Sequence, residues 1–149
     1  MSNISEGVYE SWRQLGWYPG REIDVAQWER ELRDDGFEVH SAGLAFLREF
    51  GGLRCSSSGL GYTKTIEPFD LDPMLCMGES DRFNEWGRIL ERSFCPVGEL
   101  DDGRFFLAVD ASSCLFLVSD WVASFGPGAE AMRGLLEGAA PKTVHDGFD

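Results

Sequence analysis

Histidine and cysteine are the side chains best able to act as general base or nucleophile near neutral pH, and this chain carries few of them. The histidines are His40 and His145, and His145 lies in a C-terminal stretch that we expect to fray. The four cysteines are spread singly, at positions 55, 76, 95 and 114. No C-x-x-C pair occurs, and neither histidine is spaced with a cysteine, so zinc is not expected. We predict no catalytic residues, no metal and no cofactor.

Two patterns keep an enzymatic alternative open. A cysteine–histidine nucleophile could use His40. However, the apolar neighbours of each cysteine favour a role as a small core residue, and His40 is expected at the end of a strand or loop. Asp70-Leu71-Asp72 is similar to the acidic pairs that hold divalent metals, but the glycine and distal glutamate of a calcium loop are missing. Turn chemistry before Pro73 explains it better. A small hydrolase using Asp70, Asp72 and His40 is therefore only the third hypothesis.

Acidic residues concentrate in segments that we expect to be loops. From Thr65 to Asp81 the chain has several carboxylates but no Lys or Arg, and Glu99, Asp101 and Asp102 crowd one turn. Solvated loops would explain this pattern, and so would an acidic binding surface with exposed aromatic anchors. We predict the binding surface. Its predicted residues are Glu67, Asp70, Asp72, Glu79, Asp101, Asp102, Trp17, Tyr62 and Trp121.

The charge of the whole chain restricts its partners. Lys and Arg number 13 against 26 Asp and Glu, which gives a formal net charge of -13. Nucleic acid and anionic membranes would be repelled, so neither is expected as a partner, whereas a basic protein would be attracted. The alternative is that the acidity only keeps the protein soluble. No export signal is recognisable in residues 1–18, and the apolar runs are too short to cross a bilayer, so we predict a cytoplasmic protein with reduced thiols.

Apolar spacing predicts three helices in the first third of the chain. The first follows a Ser5 cap, the second begins near Asp24 and stops at Gly36, and the third begins with a Ser41 cap and ends at the glycines at 51 and 52. Strands are then predicted at 53–57 and 62–69, joined around the glycines at 59 and 61. Residues 70–77 are predicted as a loop.

The second half predicts one helix, a meander and a closing helix. Ser80 is expected to cap the first of these helices. The meander contains a strand ending at Leu100, then strands at 104–109 and 114–118, which are apolar on both faces and should lie centrally. A last helix at 128–137 and an edge strand at 141–144 complete the pattern. We predict one α+β domain over residues 1–149, with its core at about 16–144 and helices packed on a mostly antiparallel sheet.

An ordered series of short motifs resembles the third immunity-protein family of the SUKH superfamily. Each motif alone is a common turn or core pattern, so the order in which they occur carries the likeness, which covers roughly residues 16–144. The motifs are Gly16-Trp17-Tyr18-Pro19-Gly20-Arg21, Phe46-Leu47-Arg48-Glu49-Phe50-Gly51-Gly52-Leu53, Gly78-Glu79-Ser80-Asp81-Arg82-Phe83 running on to Trp86, Phe94-Cys95-Pro96-Val97-Gly98-Glu99, Asp120-Trp121 and Phe125-Gly126.

This resemblance implies a SUKH-like α+β fold and a role as an antidote. Members of such families are typically encoded beside bacterial polymorphic toxins, whose C-terminal domains are often nucleases or deaminases, and they act by binding, without a cofactor. No catalytic residue carries over. We therefore predict an immunity protein that neutralises a cognate, basic toxin domain by direct binding. The alternative is a non-catalytic regulatory scaffold that binds an endogenous cellular partner. The oligomeric state is not predicted.

Overall fold

A computed structural model describes residues 6–55, 68–137 and 140–147 of the chain. The described helices are α1 (Glu6–Gln14), α2 (Ala26–Asp35), α3 (Ser41–Phe50), α4 (Ser80–Leu90) and α5 (Gly128–Glu137), with a 3-10 helix at Pro73–Cys76. The described strands are β1 (Arg54–Cys55), β2 (Phe69–Asp70), β3 (Cys95–Leu100), β4 (Phe105–Val109), β5 (Cys114–Val118), β6 (Val122–Pro127) and β7 (Lys142–His145). The predicted α+β fold is confirmed.

The strands form one sheet in which spatial order follows chain order from β1 to β7. Every pair of neighbours is antiparallel. Consecutive residues are buried along β4 and β5, as the apolar runs predicted. Since successive side chains of a strand point to opposite faces, both faces of these strands must be covered.

Helices supply that cover from both sides. On one face, Phe106 of β4 contacts the ring of Phe83 from α4, with 6.0 Å between ring centroids. On the other face, Val109 lies with residues of α3 and α5 around one pocket. Within the described residues, no helix combines the length and the apolar character that crossing a bilayer requires.

Helix ends and one strand differ from the sequence prediction. His40, not Ser41, caps α3, because its ring nitrogen Nδ1 accepts the Gly43 N–H at 3.1 Å. Glu79, not Ser80, occupies the N-cap position of α4, and its side chain makes no cap hydrogen bond there. Strand β6 was not predicted, and the loop predicted at 70–77 contains the end of β2 and the 3-10 helix. The predicted Ser5 cap and the turn at 59–61 lie outside the described residues.

The end of α2 was predicted more accurately than its start. Gly36 ends α2 in the left-handed conformation at φ 102°, which glycine adopts without strain. Asp24 Oδ1 accepts the Ala26 N–H at 2.9 Å, close to the predicted cap, although the helix begins after Val25. The predicted closing helix at 128–137 is confirmed, and the predicted edge strand is β7.

Candidate functional site

Three charged side chains lie side by side where β1, β2 and β3 meet. In the strand register, Asp70 is the partner of Arg54 on one side and of Glu99 on the other. Together with Asp102 they line a cavity of about 200 Å³. We call this cavity, defined by Arg54, Asp70, Glu99 and Asp102, the acidic pocket. Directly opposed like charges destabilise a pair of strands, so the Asp70–Glu99 pairing is unfavourable for the fold itself.

The acidic pocket perturbs its own carboxyl groups. Burial raises the pKa of Asp70, Arg54 opposes that rise, and the charge of Asp72 adds to it. Burial also raises the pKa of Glu99, and the charges of Asp70 and Asp102 add to the rise. Among the residues that the structure describes, no Lys or Arg forms an ion pair with any of the three pocket carboxylates. A bound cationic group would relieve this repulsion.

Asp72 has a structural task beside the acidic pocket. Its Oδ1 accepts the Met74 N–H at 2.9 Å and so caps the 3-10 helix, with Pro73 buried in the first position. At the other end of that helix the buried Cys76 thiol donates to the Gly98 carbonyl of β3 at 3.2 Å. The turn chemistry expected before Pro73 is therefore present, and the 3-10 helix is fixed against the sheet.

Glu79 and Trp121 lie in a different network. Arg82 of α4 contacts Glu79 at 2.9 Å and Asp120 at 2.8 Å, so the charge of Glu79 is compensated. These two hydrogen bonds, that of Asp120 first, hold the pKa of Arg82 above its ordinary value. Trp121 is half-buried and stacks edge-on against Phe105, with 5.9 Å between centroids. We place neither residue in the acidic pocket.

The turn between β3 and β4 holds the remaining acidic residues. Asp101 and Asp102 both adopt positive φ angles, 57° and 54°. Among residues other than glycine, those with short polar side chains adopt this conformation most readily, which partly explains why aspartates occupy the turn. Asp101 pairs with Arg104 at 3.3 Å, whereas Asp102 is exposed and lines the acidic pocket, where its charge adds to the raised pKa of Glu99.

Trp17 is not an exposed aromatic anchor, so the expectation for this residue is corrected. Its side chain is only 7% exposed within the core. Its indole Nε1 donates to Glu49 Oε2 at 3.0 Å, which explains how a polar atom is tolerated there. The predicted residues Tyr62 and Glu67 lie outside the described residues.

The groups that suggested catalysis have structural partners. His40 Nε2 lies 3.0 Å from the Ser93 carbonyl and 3.1 Å from the Val109 carbonyl, so both ring nitrogens bond to backbone. Burial raises the pKa of the Cys95 thiol to about 12 and that of Cys76 further. A thiol in this state is a poor nucleophile at neutral pH. Over the described ranges, no cluster of three His, Cys, Asp or Glu residues could hold a metal ion.

A family model decides which group of proteins these features belong to. The model described as SUKH-3 immunity protein matches residues 4–138. The chain belongs to the SUKH-3 immunity protein family. The resemblance drawn from the motifs is thereby confirmed, and with it the immunity role. No curated protein and no solved structure gives a significant match to the chain.

In this SUKH-3 protein the first two sequence motifs bind each other. Arg21, at the end of the first motif, donates to the Glu49 carbonyl at 2.6 Å and to the Gly51 carbonyl at 2.8 Å, both in the second. The Trp17–Glu49 hydrogen bond joins the same two segments. Two further motifs are linked by the Arg82–Asp120 ion pair. The SUKH-3 motifs therefore specify the fold, and the acidic pocket lies mostly outside them.

Sequence reasoning missed one buried charge. Asp110, at the β4–β5 turn, is 2% exposed and accepts hydrogen bonds from the backbone of Ser112 and Cys114, each at 3.0 Å. Arg92 compensates its charge through an ion pair. Burial works against the charged form, but these hydrogen bonds outweigh it and lower the pKa of Asp110. The spacing Asp-x-Ser in a predicted turn was the available signal.

Proposed function

We propose that this SUKH-3 immunity protein neutralises its cognate toxin by binding it directly, at a surface that includes the acidic pocket. The partner is a basic protein domain, and no catalytic turnover is involved. The family match supports the immunity role. The observation that carries the direct-binding proposal is the opposed pair Asp70 and Glu99, which forms no ion pair among the described residues and is only partly offset by the charge of Arg54.

The electrostatic argument starts from the free protein. Asp70 and Glu99 stabilise the fold less when both are charged, since burial raises the pKa of both groups and the charge of Asp70 raises that of Glu99 further. A Lys or Arg side chain from a partner would remove that repulsion on binding. The repulsion that destabilises the unbound protein is then absent in the complex, and this difference favours binding.

A nuclease or deaminase toxin is the partner class that fits best. Enzymes that act on nucleic acid carry Lys and Arg along the groove that receives the phosphate backbone. An acidic antidote with a net charge of -13 is attracted to the same groove. Binding there would exclude the nucleic acid, which accounts for inhibition without chemistry.

Direct binding without turnover is also the simpler use of this site. His40 is committed to backbone hydrogen bonds, and burial keeps the Cys76 and Cys95 thiols protonated. The described residues that line the acidic pocket include no histidine, and burial raises the pKa of the Cys55 thiol among them. The lining carboxylates can attract a cation without further help.

Growth rescue tests the proposal most directly. The toxin domain encoded beside this chain, expressed alone, is expected to stop bacterial growth, and co-expression of this chain should restore it. The purified pair should bind with a Kd in the nanomolar range, about -12 kcal/mol, because an inhibitor without turnover must occupy its target nearly continuously. Rescue that fails, or that works equally against unrelated toxins, would favour a scaffold with an endogenous partner.

A matched pair of charge reversals links the rescue to the acidic pocket. Glu99→Lys places a positive charge in the pocket, and Asp34→Lys makes the same change in net charge on the exposed side of α2. We expect Glu99→Lys to weaken binding and rescue, and Asp34→Lys to leave both close to the unchanged protein. Equal effects of the two variants would show that binding depends on the overall charge of the protein and not on the acidic pocket.

A further inference from the structure

We propose that Leu75 and Met77, presented by the 3-10 helix, are the apolar centre of the toxin-binding surface. The occupant is a protein surface with an apolar contact ringed by Lys and Arg side chains. This inference rests on the proposed function and adds where the toxin docks and what the docking surface must contain. Neither residue was among those predicted from the sequence.

The exposure of these two side chains is the first observation. Leu75 is 40% exposed and Met77 is 39% exposed. Among the residues whose side-chain exposure the structure describes, only two other large hydrophobic side chains are exposed, Tyr18 and Val144, and they lie far away in the chain. Scattered single residues of this kind need no explanation, whereas Leu75 and Met77 are both exposed two positions apart on one short segment. Methionine in particular adapts its shape to a partner surface.

The rigidity of the segment is the second observation. Residues Pro73 and Cys76, on either side of Leu75, are buried, and the Cys76 thiol bonds to the Gly98 carbonyl at 3.2 Å. The Gly78 N–H donates to Asp35 Oδ2 at 3.0 Å, which attaches the end of the segment to α2. The exposed side chains thus stand on a backbone that is fixed on both sides. A surface organised before binding loses little conformational entropy in the complex.

The close approach of β3 reinforces this attachment. A Cβ atom on Gly98 would lie 2.2 Å from the Asp70 carbonyl oxygen and 2.8 Å from the Leu71 Cα. Glycine is therefore required where β2 and the start of the 3-10 segment cross β3. The same close approach fixes the backbone just before the Leu75–Met77 segment, which is separated from Asp70 of the acidic pocket by four residues of the chain, Leu71 to Met74.

Acidic residues flank the apolar patch in the chain. Asp70 and Asp72 precede it and Asp81 follows it, whereas the charge of Glu79 is compensated by Arg82. Stable interfaces commonly combine an apolar centre with a polar rim, and the centre supplies most of the binding energy. Here the rim is acidic, so complementarity requires a basic rim on the partner. The acidic rim sets the association rate, and the apolar patch sets the lifetime of the complex.

The test uses the full chain and a catalytically inactivated C-terminal domain of the neighbouring toxin. The variants are Leu75→Ser, Met77→Ser and their combination, with Val144→Ser as a control at similar exposure, 41%. The double variant is expected to raise Kd at least 100-fold, mainly through faster dissociation, while Val144→Ser stays within a few-fold of the unchanged protein. A double variant that binds as tightly as the unchanged chain overturns this proposal and leaves the proposed function standing.

Two controls separate the possible failures. If the unchanged chain neither rescues growth nor binds the toxin domain, the proposed function fails first. If the double variant does not fold, oxidation of Met77 by hydrogen peroxide in the unchanged protein gives an independent answer. A bound toxin should slow sulfoxide formation at Met77 at least tenfold, because the thioether is covered. Equal oxidation of Met77 in the free protein and in a verified complex overturns the proposal.

Discussion

A single histidine ring joins three parts of the chain. His40 Nδ1 accepts the Gly43 N–H at the start of α3, so this nitrogen carries no proton and the other one does. Nε2 therefore donates to the carbonyls of Ser93 and Val109, at 3.0 and 3.1 Å. The ring fastens the start of α3 to the segment after α4 and to the end of β4. These bonds assign His40 a structural role.

Replacing His40 should reduce stability without affecting protection against the toxin. His40→Ala removes the cap and the bonds to two carbonyls, and we expect a loss of about 1–2 kcal/mol in the free energy of unfolding. His40→Asn retains a cap acceptor and should recover part of this loss. Urea denaturation measures both variants, and growth rescue is compared in parallel. A folded His40→Ala protein that no longer protects cells would reassign His40 to the binding site or to chemistry.

Asp110 makes stability depend on pH in a predictable direction. Its native pKa lies below the ordinary value because its hydrogen bonds and Arg92 outweigh the effect of burial. The unfolded chain therefore takes up a proton first as pH falls, and the stabilisation is complete above the unfolded pKa near 3.8 and is lost as pH falls through the native pKa.

Asp110→Asn is expected to lower the free energy of unfolding by about 2 kcal/mol at neutral pH. The difference between this variant and the unchanged protein should begin to shrink near pH 4, where the unfolded side chain takes up a proton, and should be smallest below the lowered native pKa, where the folded side chain is protonated as well. Urea titrations at several pH values measure it, with Asp34→Asn on exposed α2 as the control. A difference that stays constant down to pH 2 would contradict the role of the charge.

At the scale of the strands, the register of β2 and β3 places the carboxylates of Asp70 and Glu99 directly opposite each other. A carboxyl group whose native pKa is raised stabilises the fold below its unfolded pKa and loses that contribution as pH rises through the native value. For Asp70 and Glu99 the repulsion is therefore present at neutral pH and disappears in acid. At neutral pH this repulsion weakens the pairing of β2 with β3.

Asp70→Asn should consequently stabilise the protein while weakening toxin binding. The gain is expected to be small, about 0.5 kcal/mol or less at neutral pH, because the side chain is half exposed and solvent screens its charge. Paired urea and binding measurements on Asp70→Asn and Asp34→Asn distinguish a local effect from a general one. A variant that is less stable than the unchanged protein would show that the contact with Arg54 outweighs the repulsion.

The elements differ in how well the sequence predicts them, and the physical reason differs too. Strands β4 and β5 were found because their apolar runs, of five residues each, are too short for a helix and are typical of buried strands. Strand β6 was missed because its second half contains Gly126 and Pro127, which indicate a turn. The ring of His40 caps α3 although cap preferences favour Ser41.

The candidate site was predictable only in part. Composition indicated acidic loops, but the pairing of charges depends on residues distant in the chain. Arg82 pairs with Glu79 and also with Asp120, which lies 38 positions beyond Arg82 in the chain. Asp70 lies opposite Glu99 because of a strand register that no local sequence pattern encodes. Leu75 and Met77 read as ordinary loop residues, since exposure depends on the anchoring of their neighbours.

At the scale of the whole molecule, net charge should control how fast the toxin is captured. With a charge of -13, attraction to a basic partner is long-ranged at low salt and screened at high salt. Stopped-flow measurements should therefore show that added salt slows association more than it speeds dissociation. Glu99→Lys should reduce the association rate about tenfold at low salt, and more than Asp34→Lys does. An association rate that does not change with salt would leave solubility as the role of the acidity.

The sheet order also has a consequence for how quickly the protein becomes active. Because each strand pairs with the next one in the chain, forming each ladder requires the closure of one connection rather than the meeting of distant segments. Pairing between sequence neighbours speeds folding, and it can begin at the N-terminal side while the ribosome is still adding residues. For the proposed toxin binding, a chain that folds in step with its synthesis becomes able to bind soon after it leaves the ribosome.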